Sequence, residues 1–194
     1  AKRPSLIRDA EVENTIRAYA TPLFRAAGLR AQDVKIFIVK DSSLNAFVTG
    51  GQKLFINTGL ILQSDSANQV IGVIAHETGH IAGGHLSRVH DALSKTSAAS
   101  ILAMIVGGAA VIATGRGDIG SAIIAGGQGV ALRNFLAYSR VQESAADFAA
   151  MKYLDKTQAS ADGLLKFMGK LGDQELLSPS QQDPYVRTHP MTRD

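Results

Sequence analysis

The chain has 194 residues, of which 45% are hydrophobic and 19% charged, and its formal net charge is +3. This length and composition predict a single domain over residues 1–194, large enough to bury a core. The absence of cysteine excludes disulfides and Cys-type zinc sites. Basic residues are scattered and tryptophan is absent, so we expect no nucleic-acid partner.

The first third of the chain predicts a helix followed by a small antiparallel sheet. Apolar residues recur at helical spacing from Ser5 to Ala27, where Pro22 would kink or divide the helix. Three strands follow at 34–39, 45–49 and 53–57, and a hairpin turn at Gly50-Gly51 joins the last two. The strand at 45–49 either offers an exposed edge to an extended peptide or merely covers the core. The candidate substrate-binding residues on that edge are Asn45, Ala46, Phe47 and Val48.

The segment His76-Glu77-Thr78-Gly79-His80 gives the clearest chemical signal. Histidines four residues apart lie on one face of a helix, so both imidazoles can reach one metal ion. The glutamate is rotated about 100° from that direction, which suits a general base acting on water. This is the HExxH arrangement of zinc peptidases. The alternative is two ordinary histidines beside a solvated glutamate.

The residues around this motif predict that it lies within an amphipathic helix. Apolar residues at 70, 71, 73 and 74 bury one side, Ser66 can cap the helix, and Gly83-Gly84 can end it. The longer motif HExxHxxGxxH is excluded, because Leu86 stands where its last histidine would be. His85 falls one residue early, and we expect His85 and His90 to be partly exposed or to lie behind the metal ligands.

An uncharged tract occupies the middle of the chain. Residues 96–115 and 119–132 contain no charged side chain. About 20 apolar residues suffice to span a membrane, but the many glycines here lower both hydrophobicity and helix stability. Residues 96–132 are therefore predicted to form a buried or membrane-facing helical hairpin, with a true membrane span as the alternative. Such a hairpin could contact a membrane surface.

The third metal ligand is predicted on a later helix. Glu143 and Asp147 lie one turn apart on the same helix face, and small residues at 144–146 and 149–150 allow close packing against another helix. Glu143 could then reach the metal, and Asp147 could accept a hydrogen bond from a ligand imidazole. The alternative is a solvated acidic face. A further helix is predicted from Ser160 to Gly172.

These ordered motifs resemble the gluzincin family of the CAAX prenyl endopeptidases, the membrane protease HtpX and the periplasmic BepA-like proteins, with the BepA-like peptidase domain nearest. The motifs are Asn45-Ala46-Phe47, Gly50-Gly51, Phe55-Ile56-Asn57-Thr58-Gly59-Leu60, the HExxH segment with His85, and Glu143-Ser144-Ala145-Ala146-Asp147. The resemblance implies one zinc ion per chain, held by His76, His80 and Glu143. It also implies that Glu77 is the catalytic base and that Asp147 supports the site.

The resemblance gives His189 a place in the site as well. In BepA-like proteins the matching histidine lies on a loop that can fold over the metal. His189 is then a fourth zinc ligand that holds the enzyme closed, a donor that stabilises the oxyanion after the loop moves, or an ordinary loop residue. The preceding residues 178–184 are rich in turn formers and predict a mobile loop.

The prediction is therefore an α+β, mainly helical zinc metalloendopeptidase. Its substrates would be polypeptides, chiefly unfolded or misassembled envelope proteins, and its role would be protein quality control. A chain that starts at Ala1 fits a mature protein of the bacterial periplasm or cell envelope after signal removal, or a trimmed chain. A helical-repeat region would follow Asp194, or the peptidase stands alone. Two alternatives are a proteolytically silent, zinc-stabilised binding module for envelope proteins and a membrane-embedded peptidase of HtpX type.

Overall fold

The computed structural model describes residues 5–85, 140–172, 174, 177 and 181–189. Contacts divide the chain into a compact unit of residues 1–86 with 142–194 and a second unit of residues 87–141. Nearly all of the second unit, including the uncharged tract 96–132 and His90, lies outside the described residues. Among the helices that are described, none combines the length and the apolar character needed to cross a membrane. The single domain stays a prediction.

The first unit has the predicted α+β, mainly helical architecture. Its elements in chain order are β1 (Leu6–Ile7), α1 (Ala10–Ala26), β2 (Lys35–Val39), β3 (Ala46–Thr49), β4 (Lys53–Asn57), α2 (Thr58–Gln63), α3 (Ala67–Ala82), α4 (the helical residues 140–156), α5 (Asp162–Gly172) and α6 (Pro184–Thr188). The core lies between one face of the sheet and the helices, and α3 carries the HExxH segment through it.

The sheet is mixed, so the prediction of an antiparallel sheet is wrong. The strand order is β1-β2-β4-β3, and β2 pairs with β4 in parallel. The predicted hairpin is confirmed, because β3 and β4 are antiparallel and joined by the glycine turn. Hairpin signals fix the pairing of β3 with β4, but they carry no information on the other neighbour of β4. Of the described strands, only β4 pairs with β3, which therefore forms one edge of the sheet.

The first helix starts later than predicted and is not divided at Pro22, whereas the predicted kink stays a prediction. Leu6 and Ile7 form a short strand against β2, and α1 begins only after Asp9, whose carboxylate accepts hydrogen bonds from the backbone of Glu11 and Val12. The helix runs through Pro22 without interruption. Three of its buried side chains, Ile16, Leu23 and Phe24, each contribute about 1.5–3 kcal/mol, and together they outweigh the cost of about 3 kcal/mol for an internal proline. The fourth buried residue, Ala20, contributes less.

Close backbone contacts fix the position of α3 against its neighbours. A Cβ atom on Gly72 would lie 2.8 Å from Cα of Leu164, and one on Gly163 would collide with the backbone of Asn68. On another side, a Cβ atom on Gly79 would lie 2.9 Å from the carbonyl oxygen of Ala146 in α4. Glycine at these contacts lets helix backbones approach more closely than any larger residue would allow.

The segment before His189 is held in place at the start of α6. Asp183 precedes α6, and its carboxylate accepts hydrogen bonds from the backbone N–H of Leu44 at 3.3 Å and from Nε2 of Gln174 at 2.8 Å. Residues 178–180 lie outside the described residues. Tyr185 of α6 is fully buried in the core. The polar contacts of Asp183 and the burial of Tyr185 thus hold α6, and with it His189, against the rest of the unit.

Candidate metal centre

Three polar side chains of the HExxH segment lie deep inside the protein. His76, Glu77 and His80 are 1%, 0% and 8% exposed. The surrounding turns of α3 are apolar, with Val73 and Ile74 fully buried. Burying such groups is costly unless hydrogen bonds, ion pairs or metal coordination compensate. Here Glu143, Asp147 and His189, from other parts of the chain, lie beside these groups.

The two imidazoles converge with the carboxylate of Glu143 from α4. The Nε2 atoms of His76 and His80 lie 3.0 Å apart. Oε2 of Glu143 is 3.3 Å from Nε2 of His76, and its Oε1 is 3.6 Å from Nε2 of His80. Glu143 is 7% exposed, so the alternative of a solvated acidic face is wrong for this residue. The predicted convergence of two distant segments is therefore present.

These separations fit a tetrahedral metal ion. Nitrogen and oxygen ligands at about 2.0–2.2 Å from zinc in tetrahedral geometry are about 3.3–3.6 Å from one another. The observed distances of 3.0, 3.3 and 3.6 Å lie close to this range. Two histidines and a carboxylate are also the ligand types of many catalytic zinc sites. Ligand atoms of His76, His80, Glu143 and His189 all lie within 4.8 Å of one another. That these residues ligate zinc remains a prediction.

Asp147 lies behind His76, one turn after Glu143. Its Oδ1 is 2.8 Å from Nδ1 of His76, on the opposite side of the ring from the other ligand atoms. A carboxylate in this position favours the tautomer with hydrogen on Nδ1 and leaves the lone pair on Nε2. The geometry therefore suits the supporting role predicted for Asp147.

The acidic side chains make the centre favourable for a positive charge. Burial opposes protonation of His76, but hydrogen bonds with Asp147 and Glu143 outweigh it and raise the pKa of His76 to about 10. Burial likewise opposes ionisation of Glu143, but hydrogen bonds with His76 and His80 lower its pKa to about 2. The pKa of Glu77 is also lowered, because the charges of three nearby histidines overcome its burial. Protonated imidazole supplies positive charge in the metal-free chain, and a divalent cation can replace it.

His189 lies against Glu77 at the same centre. Its Nε2 is 3.3 Å from Oε1 of Glu77, and its ring centroid is 5.3 and 5.4 Å from those of His76 and His80. This placement brings His189 next to both the predicted base and the predicted ligands. The roles proposed from the resemblance, a fourth ligand or an oxyanion donor, remain predictions.

Sequence reasoning missed Tyr185, whose ring stacks against that of His189. The two rings stack with centroids 4.2 Å apart and an interplanar angle of 20°. Burial and the nearby charges of Glu77 and Glu143 raise the pKa of the Tyr185 phenol well above its usual value. A signal was available, because Asp183-Pro184 is a helix start and places Tyr185 one turn before His189.

The structure distinguishes between the two expectations for His85. It is 5% exposed, so partial exposure is wrong, and its Nδ1 lies 2.9 Å from Nδ1 of His80. The other expectation, a position behind a ligand, agrees with this contact.

The candidate peptide edge lies on β3, with Asn45 just before it. Because the carbonyl of Asn45 accepts a hydrogen bond from the N–H of Asn57 at 3.0 Å, residues 45 and 57 form a hydrogen-bonded pair. Antiparallel ladders alternate, so the main-chain groups of Phe47 also face β4, whereas those of Ala46 and Val48 face the open edge. Substrate binding at this edge remains a prediction.

Comparison with known proteins gives several similar sequences. A Vibrio cholerae protein provisionally named beta-barrel assembly-enhancing protease is 29% identical over 168 residues, which are 84% of this chain and 34% of that protein. The Escherichia coli K12 beta-barrel assembly-enhancing protease is 23% identical over 186 residues, covering 96% of this chain and 38% of that protein. A Bacillus pumilus protease HtpX homolog is 43% identical over 68 residues, or 33% of this chain and 22% of the homolog.

The family profile covers far more of the chain than any single motif does. The chain spans 34% and 38% of the length of the first two curated relatives. The profile of Peptidase family M48, in contrast, matches residues 7–194. This range includes both helices of the candidate metal centre, the hairpin and α6. The resemblance drawn from the motifs is thereby confirmed, and the chain belongs to peptidase family M48.

Proposed function

We propose that this chain is a zinc-dependent endopeptidase domain that hydrolyses peptide bonds with water. The observation that carries the proposal is the buried convergence of His76, His80 and Glu143 within 3.0–3.6 Å, with Glu77 beside them. Three protein ligands leave a fourth position available, as catalytic zinc sites require. Zinc held there would polarise the scissile carbonyl and lower the pKa of a water molecule.

Glu77 is the proposed general base and acid. Its carboxylate is fully buried, and the surrounding histidines lower its pKa, so it is ionised at neutral pH. It can take a proton from the attacking water and deliver it to the leaving amine. His76 and His80 hold their ring nitrogens toward the metal position, and Asp147 orients His76. No covalent intermediate is required.

The edge strand β3 is the proposed platform for an extended substrate. The main-chain groups of Ala46 and Val48 point away from β4, so a peptide could pair with them as an added strand. The main-chain groups of neighbouring Asn45 and Phe47 instead face β4. Recognition through main-chain groups would tolerate many sequences, which suits a peptidase acting on unfolded polypeptides.

The biological role is proposed from the relatives. Two of them carry names that link a protease to beta-barrel assembly. We propose that this chain likewise cleaves unfolded or misassembled envelope proteins in the bacterial periplasm or at the cell envelope. Contact with a membrane surface through residues 96–132 is part of this proposal. Those residues lie outside the described residues.

His189 is proposed to hold the site closed. Its ligand atom lies within 4.8 Å of the other three, and its Nε2 is 3.3 Å from the base. An imidazole in this position competes with both substrate and water. Removing it should therefore increase the peptidase rate, whereas a role as oxyanion donor predicts a decrease.

The proximity of His189 to Glu77 also favours a second candidate function. If His189 never leaves, the zinc is structural and the chain is a binding module without proteolysis. This candidate predicts zinc and client binding but no cleavage, even in His189→Ala.

The test combines metal analysis with digestion of casein, an unfolded protein substrate. The native chain, Glu77→Gln, His189→Ala and the exposed-surface control Glu11→Gln are compared at equal concentration. We expect about one zinc per chain in all four, cleavage by the native and control chains, loss of cleavage in Glu77→Gln and faster cleavage in His189→Ala. Full activity of Glu77→Gln with bound zinc would refute the proposed base. Zinc without cleavage in every variant would favour the binding module.

A further inference from the structure

We propose that His85 is a positioning residue, which fixes the ring orientation and tautomer of His80 by accepting a hydrogen bond from its Nδ1. The inference rests on the proposed function in one respect, since it takes Nε2 of His80 as a metal ligand. It assigns a role to a buried histidine that the proposed mechanism does not use.

The contact between the two rings is close and enclosed. Their Nδ1 atoms are 2.9 Å apart, and the rings meet edge to face with centroids 4.9 Å apart and an interplanar angle of 81°. Both histidines are buried, at 8% and 5% exposure. The two nitrogens of His80 thus have different surroundings. Nε2 faces His76 and Glu143, whereas Nδ1 faces His85.

The chemistry of imidazole determines which ring donates. A neutral imidazole carries one hydrogen, and the nitrogen that binds a metal must keep its lone pair free. When Nε2 of His80 binds the metal, its hydrogen is on Nδ1 and is donated to Nδ1 of His85. His85 must then carry its own hydrogen on Nε2. The opposite arrangement would put the hydrogen of His80 on Nε2, where it blocks coordination.

The end of α3 is built so that His85 can fold back onto His80. The helix ends at Ala82, and Gly84 has φ +62°, a left-handed conformation that glycine adopts without strain. A Cβ atom on Gly83 would lie 2.6 Å from Cδ2 of His85, so the ring occupies the space that a side chain at position 83 would fill. These two glycines therefore provide an independent reason for the placement of His85.

The arrangement completes the support of both histidine ligands. Nδ1 of His76 lies 2.8 Å from the Asp147 carboxylate, and Nδ1 of His80 lies 2.9 Å from His85. Each ring is held from behind by a hydrogen-bond acceptor. Partners of this kind typically change metal affinity by about 10- to 100-fold when they are removed.

The test measures zinc affinity by competition with a chromophoric chelator. His85→Phe keeps a planar ring but removes the acceptor, whereas His85→Asn keeps an acceptor oxygen near the place of Nδ1. We expect His85→Phe to weaken zinc binding by about 10- to 100-fold and His85→Asn to bind within about threefold of the native chain, because the acceptor is kept. Native affinity in both variants, or an equal loss in both, would refute the positioning role.

A second measurement needs no variant and can therefore be made even if His85→Phe fails to fold. Nitrogen-15 NMR of the zinc-loaded native chain reports which ring nitrogen carries hydrogen. We expect hydrogen on Nδ1 of His80 and on Nε2 of His85, and hydrogen on Nδ1 of His85 would overturn the proposal. Failure of the native chain to bind zinc would overturn both this inference and the proposed function. Zinc binding that is insensitive to His85 would overturn the inference alone.

Discussion

Replacing Gly79 by alanine should disturb the metal centre without touching any ligand. The added Cβ would lie 2.9 Å from the carbonyl oxygen and 3.0 Å from Cα of Ala146 in α4. Ordinary contact begins at 3.4 Å, so α3 and α4 must separate by about 0.5 Å. Because α3 carries His76 and His80 and α4 carries Glu143, this displacement changes the distances between Glu143 and the two histidines.

The expected magnitudes follow from two opposing effects on stability and one effect on the site. Overpacking costs about 1–3 kcal/mol, and exchanging a helical glycine for alanine returns about 1 kcal/mol. The metal-free chain should therefore lose no more than about 2 kcal/mol. Metal sites tolerate deviations of about 0.2 Å, so a shift of about 0.5 Å should weaken zinc binding by about 10-fold or more.

The assay pairs thermal unfolding of the metal-free chain with a zinc competition titration. Gly169→Ala is the matched control, because it is the same exchange within α5 and its Cβ would meet nothing within 4 Å. The control should gain up to about 1 kcal/mol of stability and keep native zinc affinity. If Gly79→Ala kept native affinity as well, the spacing of α3 and α4 would not set the metal geometry, and the reasoning would fail.

The remaining predictions concern the edge strand, the third ligand and pH. Val48→Pro removes an outward N–H, so KM for a peptide substrate should rise by about 5- to 10-fold with zinc content unchanged; an unchanged KM would remove β3 as the platform. Glu143→Ala should lose zinc and cleavage together, and cleavage without zinc would contradict the proposed site. Because His76 has a pKa of about 10 in the metal-free chain, it is protonated at pH 7.5 and must lose that proton to bind metal. Zinc affinity should then rise with pH up to about 10, and calorimetry in buffers of different ionisation enthalpy should show release of about one proton. Asp147→Asn should reduce that release, because its hydrogen bond helps to hold the proton.

Local periodicity was enough to predict which candidate ligands converge, but not the topology of the sheet. The spacing of His76 and His80 determines their common face, and Glu143 and Asp147 were found by the same helical rule. The glycine turn likewise predicted the β3–β4 hairpin. The parallel pairing of β2 with β4 depends on how the hairpin docks, which no local pattern encodes.

The contacts that bury His85 and Tyr185 were only partly accessible to sequence reasoning. His85 was judged by its register along an ideal helix, but the helix ends at Ala82 and the chain turns back at Gly84. Tyr185 was overlooked because α6 is only five residues long and shows no amphipathic period. Both side chains reach the centre through tertiary packing, so their burial was visible only in the folded chain.

Thr78 and Gly79, the two residues between Glu77 and His80, show how packing restricts the HExxH segment. Thr78 is buried and satisfies its hydroxyl by donating to the carbonyl of Ile74 at 2.6 Å. Gly79 faces α4, where an added Cβ atom would lie 2.9 Å from the carbonyl oxygen of Ala146. A mid-helix glycine costs about 1 kcal/mol relative to alanine, and here it accompanies the approach of the three proposed ligands to within 3.0–3.6 Å of one another. The glycine at residue 79 thus permits the close approach of α3 and α4 that brings the proposed ligands together.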